Sequence, residues 1–430
     1  MSYAVLSETA LAGVVRAGDS RRFNVDLRLH RQLIISGAST NALAATICLK
    51  DFTTTKLKGR TYISYREYEK VLLVRAVAKH LKRRLAIKMP DRNNAVKGII
   101  SALIDSTPFH VVRCDISSFY ESIEVEPLKE LLLYDTSSSQ IVRDYLKKFF
   151  DVHCTAKFGL PRGAGISAVL SEIALRNFDK GVVALAGVYR YYRYADDIVL
   201  FTTGCPKQLL ADVSKLLPRG MKLNRNKDKS YFRSFNMTKS GNKGVVVADT
   251  VFDFLGYQFA TTPISGASAS RKVDVSISDK KIRKIKTKIF MSLLNYRKDM
   301  DNRALLDRLF FISSNYIVKR FGVTHYKSKK FAYSGVYFNY INCGTYKINK
   351  RSEIVKGEYN CNQLKQVDGY LRNLLFSRKS EFSSYIRFGF RGLDRQKLNN
   401  ISLNMGYRKK MIIRFSPERI AYLKRAWRNE

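Results

Sequence analysis

Two apolar segments that run into carboxylates constrain this chain more than anything else in it. HVVRCDI (110–116) is rich in β-branched residues, alternates, and reads as a strand ending at Asp115. YRYYRYADDIVLFTT (189–203) reads as two strands joined at Ala195-Asp196-Asp197, a hairpin with carboxylates at its tip. Each aspartate also has an ordinary reading: Asp-Asp is common turn chemistry, and an Asp after a strand often caps a helix. The neighbours VVRCDI and IVLF weigh against it, because burying an aspartate among them costs on the order of several kcal/mol unless it is paired or bound to a cation. Two facing strands, each presenting an Asp at its end, would hold two Mg²⁺ ions about 3.5–4 Å apart, the arrangement for in-line phosphoryl or nucleotidyl transfer.

The charge balance points the same way. Lys and Arg number 77 against 36 Asp and Glu, a net charge of +41, and a polyanionic phosphate backbone is the partner that such a surface favours by counterion release. No amphipathic basic helix flanked by Trp and Leu suggests a membrane surface instead. The charge is uneven: residues 201–430 hold 47 basic and 16 acidic residues, whereas residues 101–200 hold 11 and 13. A near-neutral stretch inside a basic protein is where metal-binding carboxylates are to be sought.

The N-terminal segment is a poor signal peptide, because Glu8 and Arg16 interrupt its apolar residues, and no run of 18 apolar residues exists. The six cysteines (48, 114, 154, 205, 343, 361) form no C-x-x-C pair, so neither a zinc site nor a disulfide framework is expected. Reduced thiols and a cytoplasmic location follow, with no membrane partner.

Along the chain, residues 1–60 resist assignment. Apolar residues at helical spacing predict a basic helix over 62–87, and a second from about Asn93 to Leu103. Helices are expected around 125–150 and over 166–179, separated by the glycine-punctuated turn GLPRGAG (159–165), and another over KQLLADVSKLL. GMKLNRNKDKSYF and VFDFLGYQF read as short strands. Basic helices, DKKIRKIKTKIFMSLLNYRK and RALLDRLFFISSNYIVKR, follow a boundary near 261–278 within TTPISGASAS.

The ordered set CDISSFYESI (114–123), GLPRGAGIS (159–167), RYADD (193–197), NKDKS (226–230) and FDFLGYQF (252–259) resembles the successive palm motifs of reverse transcriptases. The resemblance implies an α/β right-hand polymerase fold: an N-terminal extension (1–60), fingers and palm of antiparallel sheet plus helices (61–260), and a mainly helical, basic thumb and C-terminal region (261–430). It implies RNA-directed DNA polymerase activity with Mg²⁺ as cofactor and Mn²⁺ as a substitute. Asp115 and Asp196 would bind the metals, with the carbonyl of Ile116 as a further ligand, and Asp197 would either join them or orient the hairpin. Tyr120 stands where the family places the side chain beneath the incoming sugar, its bulk selecting deoxynucleotides; the alternative is a core aromatic like Phe119.

Arg162 and Gly163 fall in the nucleotide or template motif. This chain has Pro161-Arg162-Gly163 and Ser167-Ala168 where most reverse transcriptases have Pro-Gln-Gly followed by Ser-Pro, so the role of Arg162 at triphosphate or template phosphate is left open. Lys229 matches a lysine that assists the pyrophosphate leaving group; an exposed strand lysine would read the same. Gly256 and Tyr257 resemble the primer grip, and Arg92 and Lys88 are candidate contacts to triphosphate or template.

No Asn-Ala-x-x-His element or Val-Thr-Gly marks a retron enzyme, and no His-rich nuclease or acidic RNase H pattern marks an intron or retroviral one. SGVYFNYI (334–341) and LKQVDGYL (364–371) resemble bacterial defence-associated, abortive-infection reverse transcriptases. That resemblance implies dNTPs, a cDNA product, a structured non-coding RNA as template or scaffold, and a second reverse transcriptase subunit or homo-oligomer. The alternatives are a group II intron- or retron-like enzyme, or an RNA-binding scaffold with template-independent or vestigial DNA synthesis.

Overall fold

The computed structural model describes residues 5–427 except 17–18, 28, 44–51, 58, 106, 136, 236–250, 262–270, 322–329 and 350. The N-terminal segment folds as α1 (Glu8–Ala12), α2 (Asp19–Phe23) and α3 (Arg31–Leu43), then the hairpin β1 (Phe52–Leu57) and β2 (Arg60–Tyr65). Helices α4 (Tyr68–Arg84) and α5 (Arg92–Ile104) lead into β3 (Phe109–Asp115). Residues 1–60 offered no pattern in sequence because what fixes them is remote. Asp19, buried in α2, takes two hydrogen bonds from Arg75 of α4 (2.6 and 3.0 Å) and one from the Tyr68 hydroxyl (2.8 Å). Burial opposes its ionisation, yet these donors and the Arg16 amide hold its pKa below the usual carboxylate value.

Two stretches expected as single helices are each broken in two. The first is α6 (Glu126–Leu133) and α7 (Gln140–His153); the second is α8 (Ser167–Ala174) and α9 (Arg176–Val183). Next come β4 (Val188–Tyr194), β5 (Asp197–Thr202), α10 (Pro206–Leu216) and β6 (Tyr231–Phe235). Within GMKLNRNKDKSYF only the end is strand; 224–230 is a turn-rich loop stitched by Asn224 and Asn226 side chains accepting from backbone amides. The hairpin β7 (Val251–Phe254) and β8 (Tyr257–Thr261) turns at Leu255-Gly256, both with positive φ (49° and 82°), the two-residue turn that suits strand twist.

The four-stranded sheet runs β4-β5-β3-β6, and β3 is antiparallel to both neighbours. Alternate β3 residues enter different cores. Val112 and Cys114 join a cluster with α4 and α7–α10, whereas Phe109 and Val111 join one with α5 and the aromatic hairpin β7–β8. Burial on both faces is why this strand is apolar almost throughout. Its charged residues are Arg113 and Asp115, and both share the face of Phe109 and Val111.

β9 (Val273–Ile277) lies within the expected boundary region near 261–278, of which 262–270 is outside the described residues, and it pairs with β8. The five-stranded sheet β13-β12-β9-β8-β7 is thus shared across that point. The basic helices are α11 (Asp279–Asp299) and α12 (Asn302–Ser313); the second ends earlier than expected, its tail becoming β10 (Asn315–Phe321), paired with β11 (Lys330–Gly335). The β-branched and aromatic run Tyr316-Ile317-Val318 favours this strand over helix. A single turn of 3₁₀ helix (Phe338–Tyr340), β12 (Gly344–Ile348) and β13 (Ile354–Lys356) follow. Then come α13 (Asn362–Phe376), α14 (Ser383–Gly389), α15 (Gly392–Asn399), α16 (Leu403–Arg408), β14 (Ile412–Ile413) and α17 (Pro417–Arg425). Among the described residues, no helix is long and apolar enough to cross a membrane.

Candidate active site

Register brings the carboxylates together. Asp115 at the end of β3 lies directly opposite Asp197 at the start of β5, so their side chains leave the same face. Asp196 occupies the β4–β5 turn beside Ala195, whose φ of 54° tightens the connection, and the Ile116 amide donates to the Asp196 carbonyl at 3.0 Å. That bond locks the hairpin tip to the end of β3.

Asp115 is buried, and its Oδ2 accepts from Lys229 Nζ and Asn224 Nδ2, both at 3.0 Å. The Asn224 amide also binds the Asp115 carbonyl at 2.7 Å, so one residue of the loop fixes both ends of the aspartate. Asp197 Oδ1 accepts from Arg113 Nη2 at 3.2 Å, and the Arg113 guanidinium lies over the Tyr231 ring at 5.8 Å. Asp196 has no such cation of its own among the described residues. Burial, then the charges of Asp197 and Asp115, push its carboxyl above the usual value, opposed by a hydrogen bond from its own backbone amide and by the charge of Lys229.

Three carboxylates thus face two cations, leaving a site that is short of positive charge and furnished with oxygen donors only. That is the ligand chemistry of Mg²⁺ rather than of zinc. In this conformation no three acidic, His or Cys side chains among the described residues surround a common point. Lys229 and Arg113 donate to carboxylate oxygens that a divalent ion would take as ligands, so the donor set would fit such an ion once they give way.

Tyr120 is half-buried beside this cluster. Its ring packs edge-on against the fully enclosed Phe119 (5.1 Å), lies under the Arg162 guanidinium (5.0 Å), and its hydroxyl is raised in pKa by burial. Arg162 is held by a two-pronged pair with Glu121 (2.6 and 2.9 Å), which raises the pKa of the arginine and lowers that of the glutamate. Its carbonyl accepts from the Ile63 amide (2.7 Å), and at Gly163, φ 94°, a Cβ would stand 2.3 Å from the Ile63 carbonyl oxygen. Gly163 therefore serves close passage of the GLPRGAG turn against β2.

The remaining expected residues lie elsewhere in the same half. Lys88 is exposed in the loop between α4 and α5. Arg92 is a brace: its guanidinium donates to the Leu255 carbonyl (3.2 and 2.8 Å) and the Asn339 carbonyl (2.7 Å) and covers the Tyr257 ring at 4.7 Å. Tyr257 departs from the expectation of a contact residue. Its side chain is wholly buried, its hydroxyl bound to the Asn339 carbonyl at 3.2 Å, so it supports the Leu255-Gly256 turn from below. Gly256 is crossed by the Lys281 side chain, where a Cβ would meet Cε at 2.8 Å. Partial burial and the cations Lys284 and Arg92 lower the Lys281 pKa, while Asp197 acts to raise it.

Sequence reasoning missed Arg113, Asn224, Lys281 and Arg193. Arg193, nearly buried, pairs with Glu172 (2.6 Å) and Asp179 (2.6 Å) and donates to the Ala195 carbonyl (3.3 Å), fixing the hairpin from the other side. A lone arginine inside apolar β3 did carry a signal, since it needs a carboxylate partner. Nothing local marks Asn224.

With this geometry in hand, comparison with known proteins gives the class. Residues 54–259 match the family described as Reverse transcriptase (RNA-dependent DNA polymerase), just under half of the chain. The protein therefore carries a reverse transcriptase domain, the domain of RNA-directed DNA polymerases and hence of nucleotidyltransferases, and its helices and antiparallel sheets fit a right-hand polymerase fold. No curated protein matches the chain.

Among solved structures, apo telomerase from Candida tropicalis truncated from its C-terminal domain is similar at 13% identity and a TM-score of 0.34, covering 49% of this chain and 53% of that one. Telomerase from the same organism with a TWJ fragment of telomeric RNA gives 12% and 0.33, covering 53% and 47%. The matched region spans about half of each solved chain.

Proposed function

We propose that this chain is an RNA-directed DNA polymerase that extends DNA by two-metal nucleotidyl transfer at Asp115, Asp196 and Asp197. The observation that carries the reading is the register of β3 against β5, which sets Asp115 opposite Asp197 with Asp196 locked at the β4–β5 turn. Asp115, Asp196 and the Ile116 carbonyl would hold two Mg²⁺ ions, for which Mn²⁺ substitutes. Bound there, the ions supply activation of an attacking 3′-hydroxyl and neutralisation of the leaving pyrophosphate.

The chain's own residues do the rest. Lys229, 3.0 Å from Asp115, holds that carboxylate's charge in the free enzyme and, released from it, offers a cation and a proton to the pyrophosphate. Arg113 keeps Asp197 oriented along the sheet. Tyr120 closes the space a 2′-hydroxyl would need, steadied by Phe119 and Arg162. Gly163 and Arg162 shape the nucleotide side of the cleft through β2, Lys88 lies toward the template, and Arg92 and Tyr257 hold the Gly256 turn for the primer.

In this reading, 1–60 is an N-terminal extension, 61–260 fingers and palm, and 261–430 a basic thumb and C-terminal region. SGVYFNYI and LKQVDGYL support a bacterial, defence-associated, abortive-infection type acting in the cytoplasm. There it would use a structured non-coding RNA as template or scaffold, alone or with a second reverse transcriptase subunit or copy, and release cDNA. The test is primer extension on an RNA template with Mg²⁺, by the unaltered chain and by Asp115→Asn/Asp196→Asn. Synthesis by the first and not the second, with equal RNA binding, supports the reading; equal synthesis by both overturns it.

A further inference from the structure

A groove of about 790 Å³ opens on the C-terminal helices, between α13 and the segment from the end of α15 through α16, and shares no lining residue with the aspartate site. Its rim carries Lys365, Arg372 and Lys409, all exposed. The one acidic residue lining it is spent: Asp368 accepts from the Ser402 hydroxyl (2.6 Å) and from the Leu403 and Asn404 amides (2.7 and 3.1 Å), capping α16. The groove is thus cationic at its edge, with no free carboxylate among its lining residues to repel an anion.

Two further features select among anions. The side-chain oxygen of Asn404, a half-buried residue of the wall, has no hydrogen-bond partner among the described residues and is itself covered, so it becomes an acceptor for a ligand's donor when the side chain turns into the groove. The thioethers of Met405 and Met411, 38% and 39% exposed, offer a soft apolar surface of the kind that packs against aromatic faces. Cations for phosphate, an acceptor for a hydroxyl or exocyclic amine, and a platform for a base are together the groups of a single-stranded ribonucleotide segment, whose 2′-hydroxyl is the donor that DNA lacks.

We propose that this groove binds single-stranded RNA outside the polymerase cleft, holding part of the RNA partner while another part is copied. The proposal rests on the RNA partner of the proposed function and names where that partner is held. Lys365, Arg372 and Lys409 contact phosphates, and Asn404 reads the sugar or base edge.

The test measures binding of a labelled 20-nucleotide uridine-rich RNA, and of DNA of equal sequence, to the full chain without dNTPs. In Lys365→Ala/Arg372→Ala/Lys409→Ala the log–log salt slope for RNA should become shallower by about 2, at roughly 0.7 for each phosphate no longer neutralised. Asn404→Leu should leave the slope unchanged and remove the preference for RNA over DNA. Extension of a short pre-annealed primer-template should proceed alike in all three proteins. An unchanged slope in the triple variant overturns the proposal, as does displacement of a groove-bound probe by poly-glutamate and not by RNA, which would assign the surface to an acidic protein.

Should the triple variant unfold, 4-thiouridine crosslinking to the unaltered chain decides the matter. Crosslinks within 399–411 support the groove, and crosslinks confined to 54–259 refute it. Failure of the polymerase reading is separate: a chain that binds RNA here and makes no DNA loses that reading alone, and one that makes DNA without contacting 365–411 loses only the groove.

Discussion

Asp196 is disfavoured as an anion by its burial and by two neighbouring carboxylates, and the direction of that shift has a sign that can be measured. A carboxyl raised above its unfolded value of 3.8 contributes stability in its protonated form, fully present below that pH and lost as pH rises through the folded value. At pH 7 the metal-free protein bears this cost. Asp196→Asn should therefore raise the metal-free melting temperature by on the order of 1–3 °C while abolishing synthesis, the pattern of a site whose charge serves function against stability. If Mg²⁺ binds at the proposed site it should stabilise the unaltered chain and not this variant, and thermal melts with and without Mg²⁺ would show either effect missing. Tyr120 is tested by sugar choice. Tyr120→Val should raise the ratio of ribonucleotide to deoxynucleotide incorporation, whereas a purely structural ring would lower both rates together and leave the ratio alone. At this scale the aspartates were legible because apolar strands rarely end in acids without cause. Arg113 showed only that it needed an acid and not which one, and Asn224 showed nothing, since its partner lies 109 residues away.

Elements are held by contacts that local pattern does not show, which is why the helices within 125–150 and 166–179 read as continuous and residues 1–60 as nothing definite. The GLPRGAG turn is a partial exception. Its glycines mark a tight turn in the sequence, and the structure shows Gly163 passing close to β2. Gly163→Ala combines a φ of 94° with a Cβ 2.3 Å from a carbonyl oxygen, so it should destabilise the protein by about 1–3 kcal/mol from the backbone conformation alone and loosen β1–β2 from the GLPRGAG turn. Denaturant melts would measure the first, and faster amide exchange at 52–65 the second. Helix α7 offers a pH-dependent tie to the same hairpin: His153 Nε2 lies 2.6 Å from the Tyr65 hydroxyl, and burial depresses the imidazole to about 4 from 6.5. A histidine depressed on folding stabilises the protein above its unfolded pKa, and that stability is lost as pH falls from 6.5 toward 4. His153→Phe, which keeps a ring against Phe52 and Phe149, should flatten the acid limb of the stability profile over that window.

Across the whole molecule, the four-stranded sheet carries its carboxylates at the end of one face, and α11 comes to that end from beyond the expected boundary. The shared sheet from β7 to β13 makes this possible: β9 runs beside β8, and Ser278, which caps α11, donates its amide to the Gly256 carbonyl at 3.1 Å. Composition alone showed that the second half was basic; it could not show that Lys281, Lys284 and Lys288, spaced at three and four residues, line one groove with Tyr316 and Tyr340 next to the Leu255-Gly256 turn. Burial, together with the cations around Lys288, lowers its pKa, as expected of lysines crowded together with no acid between them. A nucleic-acid backbone relieves that crowding. Lys284→Ala/Lys288→Ala should therefore raise the KM for primer-template severalfold and make the log–log salt slope for duplex binding shallower by about 1.8, at roughly 0.9 per phosphate, with kcat at saturation little changed. Equal loss in kcat and kcat/KM would place these lysines in the chemical step instead, and an unchanged slope would remove the backbone from this groove altogether.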